Sequence, residues 1–170
     1  MIRLAILAAM LLVAGAPPPS AAISTLAPDT ENRWVPFDLT PGNQVRFAVQ
    51  LNGQPAIAIL DTGVSQSVVS RRFASGARMK VQPRGTASAI GGPVAIGWTP
   101  IRTIAFGGMM RRGGGLSVAE LPAIATGDTA PVDLLIGHDL IDTYALDIDY
   151  EAKRFRLLKS GRLPFRGTST

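Results

Sequence analysis

Alternation is the first regularity along the chain. Val45, Phe47, Val49 and Leu51 alternate with Arg46, Ala48 and Gln50, the period of two expected of a strand with one buried face. Asn52-Gly53 follows, a pair suited to the positive-φ turn of a tight hairpin. The chain then returns as "QPAIAILD", so a second strand delivers Asp61 into a turn. Further on, "GTASAIGGPVAIGW" predicts a hairpin with a glycine-rich tip at Gly91-Gly92-Pro93. "PIRTIAF" and "LSVAELPAI" read as strands, with "GGMMRRGGG" as a surface loop between them. "PVDLLIG" is a short, wholly apolar strand ending in glycine. "HDLIDTY" predicts a short helix with Leu140, Ile141 and Tyr144 inward. "ALDIDYEAKRFRLL" closes the pattern as a hairpin with Leu146, Ile148 and Tyr150 on one face. "SRRFASGA" has room for one helical turn. Short strands, frequent glycine and proline, and one or two short helices predict a small all-β barrel or sandwich.

The amino terminus follows a different pattern. Arg3 precedes an unbroken apolar run from Leu4 to Ala14, and Ser20-Ala21-Ala22 supplies small residues for a signal peptidase. That run is well short of the roughly 20 residues needed to span a bilayer. Residues 1–22 are therefore expected to be a secretory signal cut after Ala22, with an uncleaved anchor as the alternative. Residues 23–32 are expected to be a flexible segment, 33–159 one domain, and 160–170 a flexible tail. The implied location is exported, periplasmic or secreted, with no stable membrane span after cleavage.

Composition removes several chemistries. The chain has no cysteine, so disulfides, thiol catalysis and thiolate metal sites are excluded. Its one histidine, His138, cannot build a multi-histidine metal centre. Asp139, Asp142, Asp147, Asp149 and Glu151 lack the spacing of a calcium loop. No metal and no cofactor are expected. The formal charge is +5, but the basic residues are dispersed and only 6% of residues are aromatic. A nucleic-acid partner is therefore not expected.

The chemistry gathers at Asp61-Thr62-Gly63. An acid at the end of an apolar strand is partly desolvated and calls for a partner or a task. Three features stand in order: "AILDTG", "IGG" about thirty residues on, and "DLLIGHDLI". Together they resemble the retropepsin-like aspartic proteases, the retroviral proteases and their bacterial relatives, from about Arg33 to Leu158. The resemblance implies a small closed, barrel-like acid-protease half. It implies Asp61, Thr62 and Gly63 as the catalytic loop. Ser65 would support the carboxylate through its hydroxyl, and Ile90, Gly91 and Gly92 would form a flap tip over a polypeptide substrate. Thr62 would hydrogen-bond across to a second catalytic loop.

Such hydrolysis needs two carboxylates about 3 Å apart that share one proton. The ionised one activates a water and the other protonates the substrate carbonyl. This chain holds no second loop of the kind. Asp128 follows polar residues and glycine rather than an apolar strand, and Asp142 leads to Tyr144 where glycine is needed. The partner acid is then Asp61 of a second copy, in a homodimer with the site on its two-fold axis.

Two positions depart from the pattern. Val64 stands where the family usually has Ala or Ser. His138 stands where retroviral members carry an arginine paired with an acid just after the triad, and Ser65 occupies that second position here. The reading is an exported aspartic endopeptidase. The alternative is an exported binding or scaffold module with the same fold and no hydrolysis, to which Val64 lends weight and the intact Asp-Thr-Gly does not.

Overall fold

The computed structural model describes residues 21–89, 92–121 and 131–161. The expected signal (residues 1–20 of it), Ile90 and Gly91 of the expected flap tip, Asp128, and the tail from residue 162 lie outside the described residues. Among the described residues the chain is mostly strand, with two short α-helices and none long and apolar enough to cross a membrane.

The alternating segment is β4 (Val45–Leu51), with all four of its apolar positions buried. It pairs antiparallel with β5 (Gln54–Leu60) across the full length of both. Asn52 and Gly53 take φ of 54° and 81°, the two successive positive values of a turn whose twist matches a hairpin. Asn52 also ties the turn to the next strand. Its Oδ1 accepts from the amides of Arg102 at 2.7 Å and Thr103 at 3.1 Å.

One large sheet carries most of the molecule. Its order runs from β1 (Ile23–Leu26) through β10 (Met109–Arg112), β9 (Thr103–Phe106), β4 and β5 to β12 (Leu134–Ile136). It continues through β6 (Val68–Ser70), β11 (Gly115–Ala119), β8 (Gly92–Pro100) and β7 (Gln82–Ala89), with β3 (Asp38–Leu39) beside β4. A second, three-stranded sheet has the order β13 (Tyr144–Asp149), β14 (Arg154–Lys159), β2 (Val35–Pro36). Phe47, Phe106 and Phe155 join the two sheets. The Phe47 ring meets Phe155 at 4.9 Å and Phe106 at 5.3 Å, both edge to face, a geometry that aromatic quadrupoles favour.

β12 decides the topology. It lies parallel to β5 and antiparallel to β6, so Leu134 and Ile136 are buried in the middle of the sheet. Asp133 pins its start. The Asp133 amide donates to the Ile57 carbonyl at 2.8 Å, and its carboxylate accepts from the Ile57 amide at 2.9 Å. Arg72, on α1 (Arg71–Gly76), neutralises that carboxylate in an ion pair.

The all-β class holds, and "barrel-like" holds loosely, because the sheet is not closed and β1 and β7 stand at its two ends. Within 23–32, expected as a flexible segment, β1 pairs with β10 and Thr30–Asn32 forms a 3-10 turn with Thr30 buried. Two expectations need correction. "GGMMRRGGG" is not a loop. Gly107 and Gly108, at φ of 54° and 82°, make a turn from β9 into β10. Tyr150 is exposed in the turn between β13 and β14, while Tyr144 packs on the core beside Leu146 and Ile148. The period of two was right, but the hairpin turned one residue earlier than the apolar pattern implied.

Candidate active site

β5 ends by handing Asp61 to a turn that β12 already holds. The Asp61 amide donates to the Ile136 carbonyl at 2.9 Å, extending the β5–β12 ladder by one residue. The turn then folds on itself. The Val64 amide donates to the Asp61 carbonyl at 3.3 Å, and the Gly63 amide donates to Asp61 Oδ1 at 3.0 Å. A side chain on Gly63 would put its Cβ 3.3 Å from that same oxygen. Glycine therefore keeps the carboxylate approachable. Asp61 is half-buried, whereas Thr62 and Gly63 are exposed beside it.

α2 (His138–Ile141) receives the rest of the loop. The His138 amide donates to the Val64 carbonyl at 2.8 Å and the Asp139 amide to the Ser65 carbonyl at 3.3 Å. These amides open a helix and have no partner inside it. Ser65 thus belongs to the site through its backbone. Among the described residues its hydroxyl makes no hydrogen bond to Asp61. His138 likewise contributes its amide, and its side chain is exposed.

The side chains that lock the loop are Ser67, Asp139 and Arg111. Asp139 Oδ1 accepts from the Ser67 amide and the Ser67 hydroxyl, both at 2.7 Å. Ser67 Oγ accepts from the Gly137 amide at 2.9 Å. Arg111 Nη1 reaches Asp139 Oδ2 at 3.3 Å and the Asp139 carbonyl at 3.4 Å. The ion pair beside the loop is therefore made by Arg111 and Asp139 rather than by residues 138 and 65. Arg111 comes from β10, a hairpin remote in sequence, and no local pattern marked it. Asp139 stood out in the sequence only as one of five acids without the spacing of a calcium loop.

The lock has a measurable consequence. The Arg111 side chain is 13% exposed and that of Asp139 27%. Removing one partner of a buried ion pair costs about 3–5 kcal/mol, and the partial exposure of Asp139 lowers that to about 2–3 kcal/mol. Asp139→Ala is expected to lose about that much in denaturant unfolding. Asp139→Asn keeps an acceptor for Ser67 and should lose less. Equal stability of Asp139→Ala and wild type would refute the lock.

The aspartyl protease family matches residues 47–140, from β4 through Asp61 to α2. The chain belongs to the aspartyl protease family. One solved structure shows the chain to have a retropepsin-like fold. A retropepsin-like aspartic protease from Rickettsia conorii superposes with a TM-score of 0.54 at 13% identity, covering 74% of this chain and 96% of that one. EIAV protease complexed with the inhibitor HBY-793 gives 0.47 at 22% identity, over 58% and 86%. The retroviral protease-like domain of Ddi1 from Leishmania major gives 0.43 at 22%, over 74% and 100%. No curated protein matches the sequence.

Proposed function

We propose that the protein is an exported aspartic endopeptidase, active as a homodimer in which each chain contributes Asp61. The observation that carries the reading is a half-buried Asp61 in an Asp-Thr-Gly turn held on β12 and α2, inside the segment that matches the family. One such turn per chain supplies half of a dyad. A two-fold axis through the site supplies the other half.

In the dimer one carboxylate is ionised and takes a proton from water. The water oxygen adds to the peptide carbonyl carbon while the protonated partner gives its proton to the carbonyl oxygen. The carbon–nitrogen bond then breaks as the first carboxyl returns its proton to the departing amine and the second, now ionised, takes one from a hydroxyl on the same carbon. Gly63 leaves the acid approachable, and Thr62 reaches toward the opposite loop. Ile90-Gly91-Gly92 closes over the polypeptide and excludes water. Ser65 supports the loop through the carbonyl that accepts from Asp139. No metal or cofactor takes part.

Cleavage of a mixed peptide substrate tests this. The rate should follow a bell-shaped pH profile, because one acid must be charged and the other protonated. A statine-type transition-state mimic should abolish it. A rate that climbs steadily into the alkaline range, or ignores the mimic, overturns the dyad. No cleavage under any condition leaves the scaffold module as the better reading. Export predicts an amino terminus near Ile23 by mass spectrometry of the native protein, and recovery of intact Met1 in membranes would favour an anchor.

A further inference from the structure

A cavity of about 450 Å³ opens beside the Asp61 loop. Its lining includes Gln66 and Ser67, five and six residues beyond Asp61. Arg84 on β7 and Trp98 on β8, the two strands of the hairpin that leads to Gly92, also line it. So do Arg111 and Asp139. The loop with the candidate acid and the hairpin with the candidate flap thus share this space.

The cavity is shaped rather than incidental. A Cβ on Gly115 would lie 2.3 Å from Trp98 Cε2 and Cζ2, so the indole lies directly against a residue that has no side chain. The Arg84 guanidinium stands 5.2 Å from the centre of that indole. On the loop side, the Ser117 hydroxyl donates to Gln66 Oε1 at 3.3 Å, tying β11 to the loop.

The charges around the space are uneven. They are Arg84, Arg111 and Asp139. Asp139 is committed to Arg111 and to two donors on Ser67. Arg84 has its ring contact with Trp98 and no carboxylate partner among the described residues. One guanidinium is left without a counter-charge, on an aromatic platform that orients it. A planar fork of donors over such a platform suits a carboxylate.

Reach places this space along an extended peptide. Five residues span at most about 17 Å, and a substrate strand advances about 3.3 Å per residue. A side chain that packs beside Gln66 therefore sits no more than about five positions from the bond at Asp61.

We propose that this cavity is a subsite for an acidic side chain, Asp or Glu, of the substrate peptide, with Arg84 as the residue that selects it. The proposal rests on the protease reading for its position, and the test separates the two. A peptide series carrying Glu, Ala or Lys at each of five positions on either side of the cleaved bond is assayed with the full dimer. One position should favour Glu over Lys by about 10-fold or more in kcat/KM, mainly through KM, with the preference shrinking in high salt. Arg84→Glu should reverse that preference at the same position. Cleavage without any acidic preference, or a preference that Arg84→Glu leaves intact, overturns the subsite. If wild type cleaves nothing, the same peptides are titrated onto Asp61→Asn protein carrying Trp34→Phe, with Trp98 fluorescence as the readout. Tighter binding of the Glu peptide that Arg84→Glu reverses sustains the subsite while the protease reading falls. No quenching, or equal binding of Glu and Lys peptides, overturns the subsite as well.

Discussion

Asp61→Asn is expected to fold and dimerise at least as well as wild type while losing nearly all cleavage. The amide keeps the shape of the carboxylate and an oxygen for the Gly63 amide, which now donates to Oδ1 at 3.0 Å. It also removes the repulsion between two carboxylates across a two-fold axis. What it cannot do is share a proton. General base and general acid contributions are each about 10²- to 10⁴-fold, so a loss on the order of 10⁴-fold is expected. Mixing makes the test sharper. At three mutant chains per wild-type chain, free exchange leaves about one dimer in sixteen with two wild-type chains. Activity should then fall well below the quarter that dilution alone would give. A monomeric enzyme would show the quarter. Full activity in both the mutant and the mixture would reduce Asp61 to a turn residue.

Much of this site could be read from the sequence because its signals are local. Strand β4 announced itself by period, and Asn52-Gly53 by turn chemistry. The Asp-Thr-Gly turn was marked by the apolar strand that feeds it. Residues that act across the fold left no such trace. Asp133 fixes the parallel register of β5 and β12, yet in sequence it is one acid before an apolar run. Arg111 lay within a glycine-rich stretch that read as a loop, and only the pairing of β9 with β10 turns it toward Asp139. Ser65 shows a role of another kind. The resemblance implied a supporting hydroxyl, and the structure adds a backbone role, since the Ser65 carbonyl is the group that the helix engages. Backbone roles of this kind are independent of the side chain and therefore invisible in the sequence.

Gly137→Ala should damage the site without touching any charged group. Gly137 has φ of −97° and ψ of −176°, extended backbone that alanine adopts freely, so the penalty is contact alone. A Cβ there would lie 2.6 Å from the Val64 carbonyl oxygen, 2.9 Å from the Gln66 carbonyl carbon and 3.1 Å from the Ser67 nitrogen. All three are backbone atoms of the loop that follows Asp61, and none can rotate aside. Nor can the loop back away cheaply. The His138 amide holds the Val64 carbonyl at 2.8 Å, and the Gly137 amide holds Ser67 Oγ at 2.9 Å. Overpacking of this sort costs about 1–3 kcal/mol, a fall in Tm of roughly 2–12 °C for a chain of this size. A shift of about 1 Å in a catalytic group can cost about 10²-fold in rate, so kcat should fall by that order even far below the new Tm. Gly76→Ala is the matched control. Nothing lies within 4 Å of its Cβ position in α1, and alanine should stabilise by about 0.4–1 kcal/mol. If Gly137→Ala matched Gly76→Ala in both Tm and kcat, the close packing of β12's exit against the Asp61 loop would be wrong.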